Sequence, residues 1–151
     1  MKALTISQHP AHLLVTGHKR LENRPWTTQY RGPIAILAGT DLAQDPRDAG
    51  SQPGQDDHRI FGAIVGVAEL VDVLPIERVR AGHFEHLHPG LATHPLVTGP
   101  WCWVLDKVQR IVPVACSGQP GLWTFGQSLQ EVVSLAINAE GQHDTARAAH
   151  G

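Results

Sequence analysis

The side chains best suited to chemistry in this chain are concentrated between Gly17 and Gly32. The charged residues of this stretch of sixteen give it a local charge of +3, whereas the whole chain has a net charge of −2. They are Lys19, Arg20, Glu22, Arg24 and Arg31. Two aromatic residues, Trp26 and Tyr30, lie among them. Cations interleaved with aromatic rings suit a flat, anionic ligand such as a nucleotide.

Alternation along a strand predicts how these charges are arranged. If residues 18–24 are extended, Arg20, Glu22 and Arg24 point to one face, and the other face carries Lys19, Leu21 and Asn23. A carboxylate between two guanidinium groups can orient one of them for a bidentate contact with a phosphate or a carbonyl group. The alternative is a purely structural Arg–Glu pair, because ion-pair networks produce the same clusters.

Lys19 and Glu22 are the candidate catalytic residues of this stretch. Neighbouring guanidinium groups disfavour the charged form of a lysine, and a neutral lysine can act as a base or a nucleophile. Glu22 has charged neighbours that keep it ionised, so we expect it to orient other groups rather than to accept protons.

Four histidines and one glutamate lie close together further along the chain. They are His83, Glu85, His86, His88 and His94. Imidazole groups can bind zinc, but this spacing matches no standard zinc pattern. We therefore predict no metal site and no cofactor.

Composition restricts the class of protein. At 151 residues, with 42% hydrophobic and 17% charged residues, the chain has the length and composition of one globular domain. Its net charge of −2 argues against a protein that coats duplex DNA or a membrane surface. No secretory signal or membrane span is apparent, and the two cysteines have no CxxC spacing. We expect a soluble cytoplasmic protein, of an oligomeric state that the sequence does not define.

Hydrophobic patterning predicts the elements that position the charged stretch. We expect a strand over residues 3–7, a short helix from Pro10 that is closed by Gly17, and strands over residues 33–38, 60–74 and 101–115. Residues 40–59 are predicted to form a surface connection. A capping box at Ser128 and Glu131 predicts a last helix that ends near Ala139. The domain is expected to cover residues 1–140, followed by a flexible tail of residues 141–151.

The order of these elements and several motifs resemble the ASCH domain family. The matching segments are Gly17-x-Lys19-x-x-Glu22-x-Arg24-x-Trp26, the turn of residues 30–32, the glycine-containing strand of residues 62–66, and Gly99-Pro100-Trp101-Cys102-Trp103-Val104-Leu105. The resemblance implies an α+β fold, a small PUA-like mixed β-barrel with a short helix after the first strand and a C-terminal helix. It also implies a cleft beside the first helix.

Family membership further implies a function and a set of site residues. Members are thought to bind RNA or nucleotides, which here predicts a single-stranded or modified-nucleoside ligand. The expected ligand-binding residues are Gln8, Lys19, Glu22, Arg24, Trp26 and Arg31. The alternative is a hydrolase, either a ribonuclease or an amidohydrolase acting on an acylated nucleoside. One branch of the family resembles such an amidohydrolase, with a lysine followed three residues later by a threonine nucleophile; Lys19 matches that lysine, but Glu22 occupies the threonine position.

The four tryptophans could form a stacking wall in such a cleft, although buried tryptophans of a small barrel more often belong to its core. They are Trp26, Trp101, Trp103 and Trp123. Of these, we expect Trp26 to line the cleft.

Overall fold

The computed structural model describes residues 1–6, 8–17, 20–39, 62–119 and 121–150, with the backbone alone at residues 8–10, 13 and 140–150. Within these ranges the chain forms six strands, three α-helices and one short 3-10 helix. In chain order they are β1 (Lys2–Ile6), α1 (Gln8–Val15), β2 (Leu21–Arg24), β3 (Gly32–Ala38), β4 (Ala63–Pro75), α2 (Ile76–Arg80), the 3-10 helix (Leu91–Thr93), β5 (Trp101–Ala115), β6 (Leu122–Thr124) and α3 (Gln127–His150).

The strands form a single mixed sheet in the order β2-β5-β4-β3-β1-β6. The β1–β3 pair is parallel and the other pairs are antiparallel. The long β4–β5 pair contains three register shifts, and bulges of this kind bend strands and increase their twist. The sheet therefore curls into a half-barrel.

Helix α1 packs closely against the curled sheet at Gly66. A Cβ atom at Gly66 would lie 2.6 Å from Cγ1 of Val15 and 2.9 Å from the carbonyl oxygen of Gln109. Glycine is required here because any side chain would collide with the last turn of the helix. At the end of α1, Gly17 adopts a left-handed conformation with φ of 81° and donates its N–H to the Leu14 carbonyl.

The two ends of the sheet order approach each other across the half-barrel. Gly121, which precedes β6, lies so close to Trp26 that a Cβ there would be 3.2 Å from the indole ring. Arg24 at the end of β2 donates from Nη2 to the Thr5 carbonyl of β1 at 2.5 Å. Side chains rather than a strand ladder therefore connect β2 with the β1–β6 side.

Three hydrophobic clusters stabilise the fold. The largest lies under α1 and within the curl of the sheet, around Leu4, Ile36, Leu70 and Trp103. A second contains residues of α3, among them Val133, and a third holds α2 and the 3-10 helix against β2 and β5. Burial on this scale is the main source of stability for a domain of this size.

The structure confirms the predicted α+β, PUA-like fold with a short helix after the first strand and a C-terminal helix. The last helix differs from its prediction: it begins at Gln127 and runs to His150 rather than ending near Ala139. Because the helix begins at Gln127, Ser128 lies inside its first turn rather than at its N-cap, so the predicted capping box is wrong. The Glu131 side chain instead accepts a hydrogen bond from the Gln127 side chain at 3.3 Å.

The surface connection expected at residues 40–59 lies outside the described residues. The division into a domain of residues 1–140 and a tail of residues 141–151 stays a prediction. Among the helices described, none is both long and apolar enough to cross a bilayer.

Candidate functional site

Strand β2 directs Glu22 and Arg24 towards the interior of the half-barrel. In the antiparallel β2–β5 ladder, Glu22 is opposite Trp103 and Arg24 is opposite Trp101. Directly opposed residues of an antiparallel pair share a face. Because Trp103 is fully buried within the interior cluster, Glu22 is buried too and is only 6% exposed.

An ion pair joins the two residues inside the barrel. Arg24 Nη2 lies 3.7 Å from Glu22 Oε2, and the side chains are 17% and 8% exposed. The Asn23 N–H donates to Glu22 Oε1 at 3.1 Å. Arg24 also donates to the Thr5 carbonyl, but its buried Nε–H has no acceptor within the part of the chain that the structure describes. The guanidinium is therefore held in place through Nη2 while its buried Nε–H is unused.

The opposite face of β2 fixes the strand to the rest of the fold. Leu21 is buried in the cluster with α2, and Asn23 donates from Nδ2 to the Leu96 carbonyl at 2.8 Å. Asn23 Oδ1 accepts from the N–H groups of Thr98 and Gly99, each at 3.0 Å. The predicted alternation is confirmed for these positions, since Glu22 and Arg24 face one side and Leu21 and Asn23 the other.

Trp26 lies at the same end of the barrel, directly after β2. Its ring meets that of Trp103 edge to face, with centroids 4.8 Å apart and an interplanar angle of 85°. The Trp103 indole N–H donates to the Trp26 carbonyl at 3.2 Å. Trp103 belongs to the core, whereas Trp26 is only half-buried.

Arg31 takes a different position from the other predicted site residues. It is exposed, and its Nη1 donates to the carbonyls of Thr28 and Tyr30, each at 2.9 Å. These contacts hold Arg31 against its own loop rather than beside Glu22. The adjacent Tyr30 hydroxyl donates to the Pro33 carbonyl at 2.6 Å, and burial raises the pKa of Tyr30.

Two of the predicted site residues cannot be placed by their side chains. Lys19 lies outside the described residues, between Gly17 and Arg20 in the chain. Gln8 begins α1, where the structure describes the backbone alone. The roles assigned to both residues stay predictions.

A cleft of about 720 Å³ opens between β2 and β5 on one side and residues 87–94 on the other. Among the described residues of the stretch, Arg20 lines this cleft together with Leu21, whereas Glu22, Arg24 and Trp26 do not. The predicted placement of Arg20 on the face of Glu22 and Arg24 is therefore wrong, because Arg20 precedes β2 and is not part of its alternation. The described charged residues of the stretch therefore lie in different regions: Glu22 and Arg24 lie in the barrel interior, and Arg20 lies in this cleft.

Side-chain contacts hold the histidine-containing loop in place. His88 Nε2 lies 2.6 Å from Asp72 Oδ2 on β4. Glu85 accepts two backbone N–H groups, from Gly90 and Ala92, each at 2.7 Å, and these hydrogen bonds lower the pKa of its carboxyl group. Among the described residues, no group of three or more His, Cys, Asp and Glu side chains could hold a metal ion.

Sequence reasoning missed the loop side of this cleft and the residues that hold that loop in place. Asp72 lies near the end of the long strand β4 and Glu85 lies in the turns that follow α2, so neither stands out by motif. The available signal was the density of charged and histidine side chains in residues 83–94, which sequence reasoning considered only for zinc.

Comparison with known proteins identifies the family and the fold of this chain. The family model of the ASCH domain matches residues 4–112, which is more than two thirds of the chain. The fold is similar to the crystal structure of the ASCH protein from Zymomonas mobilis, with a TM-score of 0.52, 16% identity, and coverage of 89% of this chain and 94% of that chain. A mutant of that protein gives a TM-score of 0.54, with the same identity and coverage. No curated protein is found to match. The match to the family model over residues 4–112 shows that this chain belongs to the ASCH domain family.

Proposed function

We propose that the chain binds single-stranded RNA or a nucleotide-like ligand at the end of the half-barrel where Glu22, Arg24 and Trp26 meet. Membership of the ASCH domain family supports this class of ligand, because members of the family are associated with the binding of RNA or nucleotides. A local charge of +3 within a chain of net charge −2 also favours a local contact with an anion over the coating of a duplex.

The observation that carries the proposal is the unused donor of Arg24. A buried N–H without an acceptor costs about 1–3 kcal/mol, so such groups are rare in folded proteins. The Arg24 Nε–H is in this position, while the rest of the guanidinium is fixed by Glu22 and Thr5. A phosphate or carbonyl oxygen of a ligand would supply the missing acceptor through a charge-assisted hydrogen bond.

Trp26 supplies the second element of such a site. Base stacking on an aromatic ring is worth about 1–3 kcal/mol per base and tolerates any base. The half-buried indole of Trp26 is held from two sides, by the Trp103 ring and by the backbone at Gly121. A ring fixed in this way loses little conformational entropy on contact with a base.

A hydrolase is the second proposal, favoured by the buried carboxylate in the same interior. Glu22 is 6% exposed, and Lys19 precedes it by three residues in the spacing of the amidohydrolase branch. In this proposal Lys19 acts as the base and Glu22 orients the neighbouring cation. The substrate is RNA or an acylated nucleoside. The second function is supported if the chain turns over either substrate and Lys19→Ala abolishes that turnover. It is refuted if neither substrate is turned over.

The binding proposal is tested by the affinity of the intact chain for short single-stranded RNAs of mixed sequence. Lys19→Ala is expected to weaken binding by roughly five- to tenfold, the loss of one charge-assisted contact. The matched control is Arg110→Ala, which removes a cation from an exposed position on β5. Equal affinities for Lys19→Ala and the unmodified chain, or an equal loss in Arg110→Ala, would remove the proposal.

A further inference from the structure

The cleft between β2 and β5 and residues 87–94 has the size and lining of a small-molecule site. Its volume of about 720 Å³ falls within the usual range for ligand pockets, roughly 300–1,000 Å³. Leu21 and Val104 line it from the strands, and Leu87 and Leu91 line it from the loop. Leu87 is 58% exposed, so its side chain is accessible to a ligand in the cleft. Apolar side chains on both walls suit the two faces of a flat ring.

Two opposite charges lie at the strand side of this cleft. The Arg20 carbonyl accepts the Leu105 N–H at 2.8 Å, so Arg20 borders β5 one residue before Asp106. Both side chains line the cleft and both are exposed. Within the residues that the structure describes, neither side chain has a hydrogen-bond or ion-pair partner. The cleft thus presents a five-donor guanidinium and a two-acceptor carboxylate with their capacity unused.

The loop side of the cleft is held in one conformation by polar contacts. His88 is joined to Asp72 at 2.6 Å, and the Glu85 carboxylate holds the N–H groups of Gly90 and Ala92. These contacts fix the segment that carries Leu87. A wall that is already ordered in the free protein reduces the entropy lost on binding.

We infer that this cleft takes an unpaired guanine base, and this inference rests on the proposed RNA or nucleotide binding. Guanine presents two adjacent acceptors, O6 and N7, which match the fork of an arginine. It also presents two adjacent N–H donors, at N1 and N2, which match both oxygens of a carboxylate. Adenine, cytosine and uracil each lack at least one of these pairs. Arg20 and Asp106 together therefore select guanine, while Leu87 and Leu91 cover one face of the ring and Leu21 and Val104 cover the other.

The test measures binding of GMP, AMP, CMP and UMP to the intact chain by isothermal titration calorimetry. GMP is expected to bind at least about fivefold more tightly than the other three, since a bidentate base contact discriminates by roughly this factor or more. Asp106→Asn and Arg20→Gln should each remove this preference. Glu131→Gln, which changes an exposed carboxylate on α3, should keep it. Circular dichroism and the melting temperature check that each variant is folded.

The outcomes separate this inference from the proposed function. Equal affinity for the four nucleotides, or a guanine preference that survives both substitutions, overturns the guanine site. If RNA binding is weakened by Lys19→Ala while no base preference exists, the proposed function stands and the inference falls. If neither the nucleotides nor short RNAs bind, both are overturned.

Discussion

The ion pair between Glu22 and Arg24 should contribute measurably to stability, and a double-mutant cycle can isolate that contribution. The pair is enclosed in the half-barrel, with side chains that are 8% and 17% exposed and a nitrogen–oxygen distance of 3.7 Å. Glu22→Gln keeps the shape of the side chain and removes its charge. Arg24→Met keeps most of the apolar stem and removes the guanidinium.

The expected magnitude follows from burial. Removing one partner of a buried pair leaves the other charge uncompensated and typically costs 3–5 kcal/mol. We expect about 3 kcal/mol for each single variant, because both side chains retain some contact with water. For a chain of 151 residues this corresponds to a fall in melting temperature of roughly 6–12 °C. The double variant should lose less than the sum of the two by about 1.5–3 kcal/mol, since no charge is left unpaired.

Urea unfolding of the four proteins at neutral pH measures the cycle directly. The cycle is needed because Glu22 and Arg24 each have other contacts, such as the hydrogen bond from Arg24 to the Thr5 carbonyl. The reasoning is refuted if the two losses add to within about 0.5 kcal/mol, the behaviour of residues that do not interact.

Two further perturbations test the packing of the barrel and the order of the loop. Gly66→Ala should destabilise the fold by about 1–3 kcal/mol in thermal or urea unfolding, because the added Cβ would lie 2.6 Å from Val15. Gly126→Ala is the control, since a Cβ at Gly126 would meet open space. Equal losses of stability in the two variants would contradict the assigned contact. The pKa of Glu85 is lowered because its carboxylate accepts two backbone N–H groups. The carboxylate therefore stabilises the loop at pH values above the ordinary pKa of 4.5, and this stabilisation is lost as the pH falls through the lower pKa of the folded protein. In a pH titration followed by amide NMR, the N–H signals of Gly90 and Ala92 should share one midpoint below pH 4.5, and Glu85→Gln should abolish this transition. A midpoint at or above pH 4.5 would show that these hydrogen bonds do not hold the loop.

Much of the fold could be predicted from the sequence because local patterns determine it. Gly17 ends the first helix in the left-handed conformation that glycine favours, and the apolar run after Gly32 forms a buried strand. The alternation of β2 correctly placed Glu22 and Arg24 on one face. Each of these features depends on neighbours within a few residues, so periodicity is sufficient to detect it.

The parts that could not be predicted depend on contacts between distant segments. Arg24 donates to Thr5, nineteen residues away, because the sheet curls until β2 approaches β1. The His88–Asp72 pair joins residues sixteen positions apart across a strand and a loop. Arg20 belongs to the predicted charged stretch, but its place in a cleft is set by the β2–β5 pairing and by the loop beyond. No local pattern carries this information.

The central claim, ligand binding at the Arg24 end of the barrel, can be tested on the donor that carries it. Nitrogen-15 NMR resolves the arginine Nε–H signals, and substitution of Arg24 by lysine assigns its signal. On titration with a short single-stranded RNA, we expect the Arg24 Nε–H signal to move downfield as it gains an acceptor, together with the Trp26 indole signal. If RNA binds while both signals stay in place, the ligand lies elsewhere and the account of this site is wrong.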